Sequence, residues 1–161
     1  MKPTHLDEEG RVRMVDVGEK PVTARTAVAE GSIRMQAATL QALREGRVAK
    51  GEVLAVVRLA AIGGAKNTSA LIPLCHPVPL DAVTVEIELD DDPPGCAVRV
   101  TASARWRTGV EMEALCGVSA GLLACYDMCK AMDRGMTVGP IRLKEKHGGR
   151  SGSWVRPAEL A

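Results

Sequence analysis

Asp127 and Lys130 stand three residues apart in "LLACYDMCKAMDRG", residues 122–135. On a helix that spacing puts them on one face. From Ala114 to Tyr126 the chain carries no charge, so the pair falls at the end of a stretch that reads as a buried helix. Burying either charge alone costs on the order of several kcal/mol. Two readings stand. One is a solvated ion pair near a helix end, worth at most ~1 kcal/mol. The other is a carboxylate and an amine among Leu122, Leu123, Cys125, Tyr126, Met128 and Cys129, tuned by a dry pocket for proton transfer.

Glu111 and Glu113 flank Met112 at the start of the same helix. Acidic residues in a first turn complement the helix dipole. A carboxylate there also offers two acceptor oxygens to a guanidine-like N–C–N edge. Glu113 and Asp127 are 14 residues apart, which is ~21 Å along a straight helix. One small substrate does not span that distance within one subunit. If both residues serve one site, the two helix ends come from different chains and the pocket lies at an oligomer interface.

Arg25, Lys50, Lys66, Lys130, Lys144, Lys146 and Arg150 are the cations to weigh, and for any single one solvated surface is the default. Lys50 directly precedes Gly51 where a helical stretch begins, a place suited to meeting an anion. "KEKHGGRSG" reads as a flexible anion-binding loop, although no GxxxxGK[ST] pattern occurs. His76, between Cys75 and Pro77, is a candidate for proton transfer or hydrogen bonding. A lone histidine is more often structural, and neither His5 nor His147 is near it in sequence.

The elements that must hold these residues follow from periodicity. "MVDVG" and "VTARTAVAEGSIRM" predict strands near 14–17 and 22–30. "SIRMQAATLQALREG" predicts a helix with Ser32 as N-cap and Gly46 as its stop. A second helical stretch, "KGEVLAVVRLAAIGGAKNTSALI", is broken or tightly packed at Gly63–Gly64. "PLCHPVP" is a stiff loop because of its prolines. "LDAVTVEIELD" and "CAVRVTASARW" form a hairpin through "DDPPG". "TGVEMEALCGVSAGLLACYDMCKAMDRG" is the long helix, opening at Thr108 or Gly109 and stopping at Gly135; "MTVGPIRLKEK" is a final strand, and "HGGRSGSW" a glycine-rich basic tail. The order β-β-α-α-β-β-α-β indicates one α+β domain, ferredoxin-like, an antiparallel sheet with helices packed on one face. Gly117, Ala120, Gly121 and Ala124 form a stripe of small residues that admits another backbone at close range, such as one from a second subunit. Residues 1–13 read as a loose segment, 14–156 as the domain and 157–161 as a tail.

Composition bounds the function classes. The 161 residues suffice for one domain with a core, and a net charge of +1 gives no sign of a nucleic-acid tail. Phe is absent, and Trp106, Trp154 and Tyr126 are the aromatics. The strands therefore offer no aromatic pair for stacking single-stranded RNA. No run reaches ~18 apolar residues, so no membrane span is expected. Five cysteines occur without a C-x-x-C pair. With no export signal, they read as reduced, cytoplasmic thiols and small core residues rather than a zinc site.

"THLDEEGRVRMVDV", "LIPLCHPVPL", "TGVEMEAL", "YDMCKAMDRGM" and "GPIRLKEKHGGRSG" together resemble the MoaC family, the cyclic pyranopterin monophosphate synthases of molybdenum-cofactor biosynthesis. The resemblance runs from about Thr4 to Trp154, in the family's order and spacing. It implies a lyase that turns 3′,8-cyclo-7,8-dihydroguanosine 5′-triphosphate into cyclic pyranopterin monophosphate and pyrophosphate. It implies a cytoplasmic homohexamer, a trimer of dimers with interface sites, and no nucleic-acid or membrane partner. It makes Asp127 the catalytic aspartate and Lys130 its partner. Substrate contacts fall on Leu74, Cys75, His76, Met112 and Glu113, with Arg25, Lys50, Glu111 and Lys146 at further pocket positions. Arg25, Lys50, Lys130 and Lys146 would meet phosphate charge, and Glu113 the pterin-like ring. No flavin, nicotinamide, iron–sulfur cluster or protein-held metal is required, and any Mg²⁺ rides on the triphosphate. A non-catalytic protein that binds a nucleotide for regulation is the rival reading. The chain departs from the family's usual pattern at Arg105-Trp106 (Thr-Gly is common), Asn67 (Arg), His147 (Ser) and Arg150 (Lys).

Overall fold

The computed structural model describes residues 6, 7 and 9–158. Residues 1–5, 8 and 159–161, parts of the two expected end segments, lie outside them. Among the described residues, five strands and four helices follow one another as β1 (Thr23–Arg34), α1 (Ala37–Arg44), α2 (Val53–Lys66), α3 (Thr68–Leu71), β2 (Ala82–Asp91), β3 (Pro94–Trp106), α4 (Glu111–Cys129), β4 (Thr137–His147) and β5 (Trp154–Val155). Sheet order is β2-β3-β1-β4-β5 and all pairs are antiparallel. The first four strands in space, β2-β3-β1-β4, with their intervening helices, make the ferredoxin-like arrangement expected from the sequence. β5 is an addition on the β4 edge.

Alternation along β1 explains the two faces. Ala27, Ala29 and Ile33 are fully buried. Gly31 lies between them on the same face, where a Cβ would come within 3.0 Å of Val118, Leu122 and Ile141 side-chain atoms. That face receives α4. The opposite face carries Glu30, which meets Arg99 at 3.2 Å, Arg142 at 3.1 Å and Lys144 at 3.2 Å. Burial works to raise the Glu30 carboxyl, but the hydrogen bonds from Lys144, Arg99 and Arg142 outweigh it and hold it below the usual range. Neither tryptophan belongs to this open face. Trp106 pairs with Thr23, and Trp154 pairs with Lys146, itself opposite Ala27.

Three expectations about elements need correction. No strand forms over 14–17. Ser32 lies inside β1 rather than capping a helix, because the buried alternation continues through Ile33, which pairs with both Cys96 and Val138. The helix begins after Gln36 instead, and the Gln36 side chain does not cap it. The long helix is shorter than its apolar run: it starts after Val110 and closes at Cys129 with Lys130 as C-cap, so "MDRG" is a turn.

The small-residue stripe meets α2 of the same chain, not a second subunit. A Cβ at Gly64 would stand 2.5 Å from Ala120 Cβ and 2.7 Å from the Cys116 carbonyl oxygen, and one at Gly117 would stand 3.1 Å from the Ala61 carbonyl oxygen. Gly63–Gly64 therefore marks a close helix crossing, and α2 runs through it unbroken. By length and composition α4 could cross a membrane. In the fold its apolar side is the core: Ala114, Val118, Leu122, Cys125 and Cys129 are fully buried.

Candidate functional site

The expected site residues gather at the two ends of α4. The cluster at the C-terminal end centres on Asp127. Lys130 Nζ lies 2.6 Å from Asp127 Oδ1, and Lys50 Nζ donates at 2.8 Å to Oδ2 and at 2.8 Å to the Asp127 carbonyl oxygen. Lys130 gets there by helical spacing. Lys50 gets there because the connection after α1 turns back, anchored by buried Val48. Each carboxylate oxygen thus has its own ammonium. These contacts, Lys130's first and then Lys50's, pull the Asp127 pKa down to about 2. The same contact with Asp127 raises Lys130.

The buried-helix premise for this pair does not hold in the single chain. The Asp127 side chain is 55 % exposed and that of Lys130 50 % exposed. Leu122, Cys125, Met128 and Cys129 point into the core, while Leu123, Asp127 and Lys130 point out. Four of the apolar neighbours in sequence are thus on the other side of the helix, while Leu123 is exposed with the pair.

The N-terminal end of α4 has the opposite character. Glu113 is 4 % exposed, and it lines a cleft of about 300 Å³ with Leu74, Cys75, His76, Glu111 and Met112. Burial pushes the Glu113 carboxyl up, and the nearby Glu111 charge adds to the effect. Burial also raises the Cys75 thiol, with Glu113 and Cys116 contributing. The Glu111 carboxylate folds back over Gly109, where a Cβ would stand 2.7 Å from its Cδ. The loop "PLCHPVP" has no regular structure, as its prolines require, and it brings His76 to the cleft. Val15, Val17, Lys20 and Thr108 line the same cleft and carry no site role in the sequence reading. Val15 and Val17 reach the cleft because "MVDVG" is an irregular segment rather than the expected strand, and Lys20 follows it.

Arg25 and Lys146 share the helix-side face of the sheet, at the end from which α4 starts. β1 begins at Thr23 opposite Trp106, the last residue of β3 before α4, and Lys146 stands opposite Ala27. Lys146 Nζ donates to Ser151 Oγ and, at 2.8 Å, to the Gly152 carbonyl oxygen. Arg25 Nε is buried with no partner among the described residues. Its guanidinium lies where a Cβ on Gly149 would be, and Gly149 has φ +72°. The expected basic tail is therefore an ordered turn, returned to the sheet by Trp154 opposite Lys146.

Other expected cations go elsewhere. Lys144 serves Glu30 on the open face, and Lys66 ends α2. Asn67, where the resemblance implies an arginine, closes α2 through Nδ2 to the Gly63 carbonyl oxygen at 2.8 Å. His147 Nδ1 is 3.0 Å from Ser153 Oγ. Among the described residues no group of three His, Cys, Asp or Glu is arranged to hold a metal ion.

One subunit thus holds two separated half-sets. One is a buried carboxyl in a cleft with cations on the same end of the sheet. The other is an exposed carboxylate bridging two lysines, ~21 Å further along the helix. Residues 14–149, which contain both half-sets, match the model of the MoaC family. The chain belongs to that family, whose members are enzymes of molybdenum-cofactor biosynthesis.

Proposed function

We propose that residues 14–156 form a cyclic pyranopterin monophosphate synthase, acting on 3′,8-cyclo-7,8-dihydroguanosine 5′-triphosphate. The observation that supports this most is the split of the matching residues between the two ends of one helix. A substrate with a guanidine-bearing ring at one end and a triphosphate at the other needs two unlike surfaces. In this reading Glu113 accepts the N–C–N edge of the ring, with Leu74, Cys75, His76, Glu111 and Met112 shaping the cleft. Arg25 and Lys146 take phosphate charge. Asp127, Lys130 and Lys50 come from a neighbouring protomer, so the site is complete only in an oligomer, a cytoplasmic hexamer built as a trimer of dimers.

The chemistry divides accordingly. Opening of the purine's five-membered ring with water and closure of the pterin both move protons, and Lys130 is the donor in this arrangement. Asp127, ionised and bridging both lysines, orients that ammonium; covering by the neighbouring protomer would dry the pair and strengthen its field. A ribose hydroxyl then attacks the α-phosphorus, the P–O bond to the β-phosphate breaks, and pyrophosphate leaves. Lys50, Lys146 and Arg25 stabilise the charge spread over the phosphoryl oxygens.

The test is to incubate the purified oligomer with the cyclised GTP derivative. Pyrophosphate and the cyclic monophosphate are expected together in equal amounts. Failure to produce either, with the oligomer intact, removes the assignment. Binding without turnover would instead favour a nucleotide-binding regulator.

A further inference from the structure

Asp133 is a buried carboxylate, 2 % exposed, that the proposed chemistry does not use. Its Oδ2 accepts from the Gln36 backbone N–H at 2.8 Å and from Thr39 Oγ1 at 3.4 Å. Its Oδ1 accepts from Gln36 Nε2 at 3.3 Å and from the Gly135 backbone N–H at 3.1 Å. Both backbone partners can only donate, and they sit on different oxygens. An amide would have to aim its NH₂ at one of them, so the position demands a carboxylate.

The two sides of this junction carry the two lysines of the Asp127 cluster. On one side, the Met132 and Asp133 backbone N–H groups donate to the Cys129 carbonyl oxygen at 2.9 and 3.1 Å. That fixes the Asp133 backbone to the last turn of α4, which bears Asp127 and Lys130. On the other side stands the start of α1, whose own N-cap residue Gln36 supplies no side-chain cap. α1 is short, Ala37–Arg44, and its far end leads through Val48 to Lys50. The Arg47 N–H donates to the Ala42 carbonyl oxygen at 2.9 Å, and the Gly51 N–H to that of Val48 at 3.0 Å. The path from Asp133 to the Lys50 ammonium is thus a hydrogen-bonded helix and two turns.

We propose that Asp133 is a positioning residue: by joining the start of α1 to the end of α4, it sets the frame in which Lys50 reaches the Asp127 carboxylate. Its consequence for turnover rests on the reading of Asp127 as part of the site. Its consequence for geometry does not, and can be read without substrate.

The measurement is the ¹³C side-chain carboxyl signal of Asp127 as pH is lowered, in the intact oligomer. In the wild type this carboxylate stays ionised far into acid because it faces two ammonium groups, Lys130 from its own helix and Lys50 from the α1–α2 connection. In Asp133→Asn, with the fold verified by circular dichroism, it is expected to protonate at higher pH, as it should in Lys50→Met. The double variant should titrate like Lys50→Met alone, because the contact that Asp133 supports is already gone. Turnover should fall about tenfold or more, as misplacement of a charge-bearing group does.

A folded Asp133→Asn whose Asp127 titrates as in the wild type overturns the proposal and leaves Asp133 as a plain helix cap. Gln36→Pro is the second variant should the first not fold. The position is exposed and has φ −68°, which proline adopts, and the change removes the 2.8 Å donor while keeping the carboxylate. The same upward displacement is expected, and its absence is equally decisive. If Asp127→Asn proves fully active, the functional reading fails while this titration still decides the positioning role.

Discussion

The two ends of α4 set the same chemical group in opposite states. Glu113, in the first turn, is buried and has no cation paired with it among the described residues; its carboxyl is raised. Asp127, in the last turn, is exposed and held by two lysines; its carboxyl is lowered to about 2. The helix dipole acts the other way, favouring a carboxylate at the N-terminus and opposing one at the C-terminus. Desolvation at one end and the ion contacts at the other set the two directions instead. The chemical result is a division of labour: Glu113 is the carboxyl nearer to exchanging a proton at neutral pH, and Asp127 is a fixed anion that arranges ammonium groups.

The largest expected effect tests whether the two ends meet between chains. Asp127→Asn should lower pyrophosphate release by ~10²-fold or more, as loss of a positioning group does, with the circular dichroism spectrum unchanged, since its side chain packs on nothing in the core. Glu113→Gln should weaken substrate binding. When the two variants are co-assembled, part of the wild-type turnover should return, because some interfaces then receive an intact residue from each parent. A mixture as inactive as its parents would show that no site draws on both ends of the helix.

How much of this was legible depends on the range of the interaction. Alternation reported β2, β3 and β4 well, and the composition of "DDPPG" marked the hairpin turn, because those signals are local. Ser32 misled because its residue type suits an N-cap, whereas the pairing of Ile33 with two neighbouring strands carries β1 through it. Asp127 and Lys130 were visible as a pair, but their exposure was not. The apolar residues around them read as a pocket in one dimension, whereas 3.6-residue geometry sends Leu123, Asp127 and Lys130 outward together. Lys50 reaching Asp127 and Asp133 capping α1 join residues 77 and 97 positions apart. No local pattern encodes such contacts.

Next in size are changes that sharpen the inward–outward division of α4. Leu122→Ala should cost ~2–5 kcal/mol in urea unfolding, since Leu122 is fully buried against the sheet. Leu123→Ala should stay within ~0.5 kcal/mol for the subunit fold, as its side chain is 60 % exposed. Equal costs would show that the helix is rotated from the orientation described, and with it Asp127 and Lys130.

A smaller effect should appear in the pH dependence of stability at the Glu113 end. A carboxyl raised by burial binds its proton more tightly in the folded state. Between the unfolded value, ~4.3, and the raised folded value, the native state holds more protons, so stability falls as pH rises through that window. Glu113→Gln should remove that slope. Asp127 contributes with the opposite sign: its stabilisation is present above the unfolded value, ~3.9, and is lost as pH falls towards about 2. A slope that survives in Glu113→Gln would assign the raised carboxyl to another residue.

The finest distinction lies within the Asp127 cluster. Lys130 is fixed by its place at the end of α4, whereas Lys50 arrives on a connection 77 residues away in sequence. Lys130 also acts more strongly on Asp127, through the 2.6 Å contact against 2.8 Å for Lys50. Lys130→Met should therefore raise the Asp127 titration more than Lys50→Met, read from the carboxyl ¹³C shift. Salt should weaken both contacts, because these side chains are half exposed and screened charges interact less. Covering by a neighbouring protomer would suppress that salt dependence. An oligomer whose Asp127 responds to salt as freely as a surface carboxylate would place this end of the helix in open solvent, and the shared site would then have no second half.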